Sequence, residues 1–237
     1  MEREAVGFAL KSCVLFRGLS SECVEEKLLP LGQLRRAAKG ESLLIPRQRV
    51  EGFSVIVSGR VSLTHLFSNG GYTLLNVLGQ AEVLGAELAF SGSRLSPYHA
   101  IAAEPTTVCH LPSEVLTRPG ILTEEEHRKG MDALLFLLAN ESVKKEYRLA
   151  ILARRGLRER IMAYFTLQRN KQGGDAIEVP FSREELAAFL CVNRSALSHE
   201  LSLMEQEGLI TFQKNRFTLL FDGMHSGEGI VPQGVVE

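Results

Sequence analysis

Two spacings of hydrophobic positions divide this chain of 237 residues. From about Leu34 to Leu111, apolar residues come in short runs cut by glycine turns. Beyond Thr123 they recur every three or four positions, the repeat of amphipathic helices. In the first region, Lys39–Pro46, Gly52–Val57, Val61–Phe67 and Tyr72–Leu78 are predicted strands. Ser58-Gly59-Arg60 marks a turn from which the chain returns as Val61–Phe67, and Ser68-Asn69-Gly70-Gly71 is a hairpin signal. Strands of this length and spacing predict an antiparallel barrel or jelly roll. Gly85-Ala86-Glu87-Leu88-Ala89-Phe90-Ser91-Gly92 interrupts them with one helical turn, a candidate cradle for an anion or ligand.

A long helix is predicted over roughly Thr123 to Ala153. Its heptad seam is written Met131, Leu135, Leu138, Ser142, Lys145, Leu149 and Leu152, in alternating steps of four and three. A second stripe, Phe136, Ala139, Val143, Tyr147 and Ala150, is expected to cover the barrel. Two apolar stripes need two partners, so Met131, Leu135, Leu138, Leu149 and Leu152 are assigned to a homodimer interface. The polar pair Ser142 and Lys145 in mid-seam fixes register or meets a ligand between helix and barrel.

Residues 182–208 give the densest local signal. Ser182 with Glu185 three residues on is a capping box, followed by Leu186, Phe189 and Leu190 on one helical face. Cys191-Val192-Asn193 is long enough only for a turn, and Asn193 caps a second helix that ends at Gly208. Leu197, Leu201 and Met204 face inward on that helix, while Arg194, Ser195, Ser198 and His199 point outward from its first two turns. Guanidinium, hydroxyl and imidazole groups at a helix N-terminus are what a reader of the major groove needs, so the pattern is a helix-turn-helix with double-stranded DNA as partner. Leu209–Gln213 and Phe217–Leu220 flank the basic turn Lys214-Asn215-Arg216, and Ile177–Val179 supplies a third short strand. A helix-turn-helix followed by a hairpin is a winged helix, with Lys214 and Arg216 placed to meet phosphates.

Charge sharpens the division. The chain carries a net −1, yet residues 144–216 hold thirteen basic and nine acidic side chains, leaving an acidic remainder. Hydrophobic content of 45% and charged content of 23% are those of a globular protein, with no run of apolar residues long enough to span a membrane. The N-terminus lacks the layout of a signal peptide, and Cys13, Cys23, Cys109 and Cys191 show no short metal-type spacing, which together predict reduced thiols in a cytoplasm. No nucleophile paired with a base, paired carboxylates or phosphate loop stands out, so no enzyme is expected. The predicted organisation is α+β: a sensor barrel over 1–121, a dimerisation helix over 122–155, a winged helix-turn-helix over 156–221 and a flexible tail over 222–237.

Lys39-Gly40-Glu41 and Ser58-Gly59-Arg60-Val61 in the barrel, the long helix, Leu157-Arg-Glu-Arg160-Ile161 and Val192-Asn193-Arg194-Ser195-Ala-Leu-Ser198-His199-Glu200-Leu201 together resemble the Crp/Fnr superfamily of bacterial transcription regulators. The resemblance runs from about Val14 to Leu220. It implies a homodimer with a cyclic-nucleotide-binding-type jelly roll, a DNA site of two related half-sites, a small-molecule effector, and RNA polymerase as a further partner.

Three departures bear on the effector. Members that bind cyclic AMP resemble Gly-Glu-Leu at the start of the phosphate cassette, followed by an Arg-Ser pair. Here Gly85, Ala86, Glu87 and Leu88 open the cassette, but the pair falls near Ser96-Pro97-Tyr98, Arg94 is the only nearby cation, and Lys145-Glu146 stand where the adenine contacts would be. A cyclic phosphate buried without a cation costs several kcal/mol, so an effector other than cyclic AMP is expected, bound near Gly85–Leu88, Arg94, Ser96, Ser142 and Lys145. Cys13, Cys23 and Cys109, or His65, His99 and His110, keep a metal, haem or thiol redox sensor open as an alternative. A regulatory module whose winged helix serves protein contacts is the other. On the DNA side the resemblance assigns base reading or bracing to Arg194 and a phosphate contact to Arg183. Ser195 and His199 stand where relatives carry Glu and Arg, which implies a different operator.

Overall fold

The computed structural model describes residues 2–68 and 70–221. The tail over 222–237, expected to be flexible, lies outside the described residues. The chain forms two compact units, Met1–Ser142 and Val143–Glu237, and the division falls inside the long helix.

The first unit opens with α1 (Glu2–Ser12), an element the strand-and-turn reading does not include. The signal for it is helical spacing of Val6, Ala9, Leu10 and Cys13, all of which are buried. A 3-10 turn (Val14–Phe16) follows. Then comes a helical stretch of three geometries: α2 (Ser21–Cys23), a π turn (Val24–Leu28) and a 3-10 turn (Leu29–Leu31).

Eight strands follow: β1 (Gln33–Ala37), β2 (Ser42–Leu44), β3 (Gly52–Ser58), β4 (Val61–Leu66), β5 (Tyr72–Leu78), β6 (Val83–Leu84), β7 (His99–Ala102) and β8 (Thr106–Pro112). They form two antiparallel four-stranded sheets, ordered β1-β8-β3-β6 and β2-β7-β4-β5, which is the expected jelly-roll arrangement. Strand β3 carries apolar residues on both faces, Phe53, Val55 and Val57 on one and Ile56 on the other, because both faces are buried. Phe53, Val55 and Val57 pack toward the helices with Cys109 and Leu111 of β8, while Ile56 packs toward the second sheet with Val108.

One turn behaves differently from its sequence signal. Ser58-Gly59-Arg60 does not fold β4 back onto β3: β3 pairs with β6 and β8, and β4 with β5 and β7. The turn carries the chain from one sheet to the other. Gly59 has φ +87, and a Cβ there would lie 2.5 Å from Thr106 Oγ1. That hydroxyl accepts from the Arg60 N–H at 3.2 Å, so a side chain at Gly59 would meet the atom that fastens the crossover.

A single turn, α3 (Ala86–Ala89), lies between β6 and β7, and α4 (Glu114–Thr117) follows β8. Helix α5 spans Glu124–Leu152. Thr123 and Glu126 exchange backbone and side-chain hydrogen bonds at its start, and Lys27 donates to Glu126 at 2.6 Å, which ties α5 to the π turn. The face of α5 that packs on the first unit carries Gly130, Leu134, Leu137 and Leu138. The expected covering stripe is therefore displaced: Phe136 and Val143 are exposed.

The second unit contains α6 (Leu157–Gln172), β9 (Ala176–Glu178), α7 (Arg183–Phe189), α8 (Arg194–Gln206), β10 (Ile210–Gln213) and β11 (Arg216–Leu219). Its three-stranded sheet has the order β10-β11-β9, with β9 from the third short strand foreseen at Ile177. Tyr164, Phe165, Phe181, Phe189 and Phe217 form its aromatic core, in which the Phe165 and Phe217 ring centroids lie 4.6 Å apart.

Candidate nucleic-acid interface

Helices α7 and α8 are built by their caps. Ser182 Oγ accepts from the Glu185 N–H at 3.2 Å, and the Glu185 carboxylate accepts from the Ser182 N–H at 2.7 Å. Asn193 Oδ1 accepts from the Ala196 N–H at 2.7 Å and opens α8. Between them the chain reverses through a Schellman turn: Val192 N–H bonds to Ala187 O at 3.0 Å and Cys191 N–H to Ala188 O at 3.3 Å. Helix α8 ends the same way, with Leu209 N–H on Met204 O and Gly208 N–H on Glu205 O. The left-handed residue is Gly208 in one turn, with φ +72, and Cys191 in the other, with φ +57.

The spare carbonyls at the end of α7 are taken by arginines. Arg148 donates to Phe189 O at 3.4 Å with its guanidinium 5.0 Å above the Phe189 ring, and Arg160 donates to Leu190 O at 3.2 Å. Arg158 of α6 holds α8 along its length, donating to Glu200 at 2.6 Å and pairing in bidentate fashion with Glu207 at 2.7 and 2.9 Å. These contacts neutralise the carboxylates of Glu200 in α8 and of Glu207 at its C-cap.

Leu197, Leu201 and Met204 of α8 are fully buried. Arg194, Ser195 and His199 are exposed and Ser198 is half-buried, so the structure brings together on one open face the four residues singled out from the sequence. The hairpin β10–β11 closes through Lys214 and Asn215, with Gln213 opposite Arg216. Lys214 and Arg216 are exposed, and Arg216 stands 3.5 Å from Glu178 in an open pair that contributes little in water. Arg183, expected as a phosphate contact, lies half-buried against the Phe212 and Phe217 rings.

Of the candidate effector residues, Gly85, Ala86, Glu87, Leu88, Arg94 and Ser96 lie in α3 and its flanking loops, and Ser142 and Lys145 lie on α5. Gly85 is its left-handed N-cap, and Ala86 and Leu88 are buried in the core. Glu87 accepts from the Tyr98 hydroxyl at 2.5 Å. Burial, then Glu87, then Glu141 of α5 push the Tyr98 hydroxyl well above its ordinary pKa. Ser96 is buried and donates to Tyr98 O at 2.8 Å, which fixes the loop that carries Tyr98. Arg94 is half-buried with φ +51. Ser142 and Lys145 are exposed, and the α5 residue whose charge reaches Tyr98 is Glu141. A neutral phenol that donates to a carboxylate offers a cyclic phosphate no positive charge, so the Tyr98–Glu87 pair does not fit that group.

Cys13, Cys23 and Cys109 lie in one apolar cluster of the first unit. Burial pushes their thiols up to about 12, about 11 and about 11, which favours the protonated form over the thiolate a metal needs. His65 is exposed and His99 half-buried, and His110 hydrogen-bonds Ser54 Oγ at 3.2 Å. Among the described residues no group of three or more His, Cys, Asp or Glu side chains is placed to hold a metal ion, and no helix is long and apolar enough to cross a membrane.

Residues 34–118 match the family model of the cyclic nucleotide-binding domain, and residues 159–221 match that of the Crp-like helix-turn-helix domain. The chain is 23% identical over 197 residues to the global nitrogen regulator of Synechococcus elongatus, covering 81% of this chain and 86% of that one. Among solved structures, the c-di-GMP responsive global regulator CLP of Xanthomonas campestris superposes with a TM-score of 0.65 at 16% identity, over 86% of this chain and 100% of CLP. FixK2 from Bradyrhizobium japonicum superposes with a TM-score of 0.61 at 18% identity, over 82% of this chain and 95% of its own. The structural likenesses speak for the fold, and the two family models match the first unit and the helix-turn-helix separately. The chain belongs to the Crp/Fnr superfamily of transcription regulators.

Proposed function

We propose that this chain is a cytoplasmic regulator, without catalytic activity of its own, that binds double-stranded DNA as a homodimer on two related half-sites. The observation that carries this reading is the open face of α8, where Arg194, Ser195, Ser198 and His199 follow a capped N-terminus and the exposed wing cations Lys214 and Arg216 belong to the same unit. A capped helix with such donors fits the major groove, and wing cations fit the flanking phosphates. The homodimer is supported by the exposed apolar positions of α5: Leu135 is 69% exposed, Leu149 60% and Phe136 52%. Apolar positions in the open along one helix are what a second copy of that helix would cover.

The effector in this reading is a small molecule other than cyclic AMP, because Glu87 is already paired with Tyr98 and the cassette lacks the Arg-Ser pair that the resemblance implies for cyclic AMP. At promoters the further partner is RNA polymerase. The test is binding to duplex DNA at several salt concentrations. Specific binding with a steep, linear fall of log K against log salt supports the reading. Binding that is absent at low salt, or that does not respond to salt, leaves the winged helix as a surface for protein contacts.

A further inference from the structure

Arg183 is the first residue of α7, and its side chain leaves that helix for the wing. Its guanidinium carbon sits 5.0 Å from the Phe212 ring centroid and 5.4 Å from that of Phe217. Those two rings are a cross-strand pair of the hairpin, with centroids 5.5 Å apart. The same guanidinium donates to the carbonyl of Lys214 at 3.2 Å. One planar group thus touches both strands of the wing and the residue at its tip.

The tip needs such a hold. Lys214 has φ +57, a left-handed conformation that a side-chain-bearing residue keeps only when its surroundings impose it. Asn215 supplies the restraint from the other side: its amide donates to Val179 O at 3.2 Å, and its carbonyl accepts from the Val179 N–H at 2.9 Å. The Arg183 bond to the Lys214 carbonyl and the Asn215 bonds to Val179 therefore hold the two turn residues, and the Lys214 ammonium projects from a fixed backbone. Desolvation first, and the charge of Arg194 second, lower the Arg183 pKa, as expected for a cation withdrawn from water next to another.

We propose that Arg183 is a positioning residue: it holds the wing against α7 so that Lys214 meets a phosphate, instead of meeting a phosphate itself. The inference rests on the DNA-binding reading and gives that interface a part that the sequence assigns differently. Chemistry separates the two roles. A phosphate contact asks for a positive charge and tolerates lysine, whereas the wing hold asks for a flat cation that stacks on two rings while donating in its plane.

The test compares Arg183→Lys, Arg183→Met, Lys214→Ala and the double variant Arg183→Lys/Lys214→Ala, with affinity for duplex DNA followed against salt. For a wing hold, Arg183→Lys weakens binding about three- to tenfold and lowers the salt slope by about one unit per protomer, as Lys214→Ala does, and the double variant is no worse than either. Wild-type affinity in Arg183→Lys, with a loss confined to Arg183→Met, would overturn the proposal. Amide hydrogen exchange of the protein without DNA keeps the two readings apart. Arg183→Lys must speed exchange across β10 and β11 even if no DNA is bound, and unchanged protection there overturns the wing hold by itself. Should Arg183→Lys melt below the assay temperature, Phe212→Leu removes a ring and leaves the charge. It reproduces the loss of slope if the wing hold is right and leaves it unchanged if Arg183 binds phosphate.

Discussion

The Tyr98 hydroxyl donates to the Glu87 carboxylate at 2.5 Å, which fastens the loop carrying Tyr98 to α3. Both groups are thereby committed to each other. Tyr98 is buried, so separating the pair would leave an unpaired polar atom inside the fold. Thermal melting with cyclic AMP is expected to show no saturable shift at micromolar ligand. A ligand held at a hundred times its Kd would stabilise the native state by about 2.7 kcal/mol, which a melting curve resolves easily. A clear shift that titrates with cyclic AMP would defeat this expectation.

The His110 imidazole predicts a pH dependence of the first unit. Burial holds its pKa below the ordinary value, so the unfolded chain takes up a proton first as the pH falls through about 6.5. Stability from this group is present above that pH and is lost below it. Glu126, held down to about 2 chiefly by Lys27, loses its contribution only once the pH drops below the ordinary carboxylate range. The interval from pH 7 to 5 therefore separates His110 from that carboxylate. The melting temperature should fall over that interval and fall less in His110→Gln. Equal pH slopes for the two proteins would rule the assignment out.

Cys191 predicts a gain. The two Schellman turns of the helix-turn-helix place Gly208 and Cys191 in equivalent positions, with φ +72 and +57. Glycine enters that conformation without a clash and cysteine does not. Cys191→Gly should stabilise the second unit by about 0.5–1 kcal/mol, after the extra entropy of glycine in the unfolded chain is deducted. Chemical denaturation measures it through a higher midpoint at constant m-value, and a lower midpoint would show that the thiol contributes contacts worth more than the strain.

How much was legible follows from how local each signal is. Ser182, Glu185, Asn193 and Gly208 announce the helix-turn-helix because each cap acts within a few residues of itself. Gly59 announces a turn but not its destination, since sheet partners are chosen by packing, and β4 passes to the other sheet. On α5 the residues that pack on the first unit, Leu134, Leu137 and Leu138, alternate with exposed Leu135 and Phe136. Apolar residues surround the helix there, and periodicity alone does not say which stripe faces which partner. The Glu87–Tyr98 and Arg183–Phe212 contacts depend on side chains brought together from separate elements, so spacing carries no trace of them.

The exposed apolar positions of α5 make the dimer testable without harming the fold. Leu135 and Leu149 are open in the single chain, so Leu135→Glu with Leu149→Glu should leave the melting of the monomer nearly unchanged. In a dimer seam the same changes bury like charges face to face and cost several kcal/mol. Light scattering should report the mass of a monomer. A double variant that remains dimeric would place the interface on another surface.

The bases read by α8 follow from the donors it presents. Arg194 is exposed at the start of the helix and can fork onto guanine O6 and N7, which discriminates against other bases by about 1–3 kcal/mol. Lys214 is exposed on the wing, and in the proposed complex it would reach phosphates and add affinity without sequence information. Arg194→Ala should therefore relax preference at one symmetric position in each half-site, while Lys214→Ala weakens all sequences alike and lowers the salt slope by about one unit per protomer. His199 is exposed one turn further along and offers a single ring donor when neutral, so it favours guanine less than an arginine would. His199→Arg should shift selection toward guanine at its own position and nowhere else. Selection from a randomised duplex library with the wild type and these three variants decides the matter. If the wild type and Arg194→Ala return the same motif, α8 is not the reading helix.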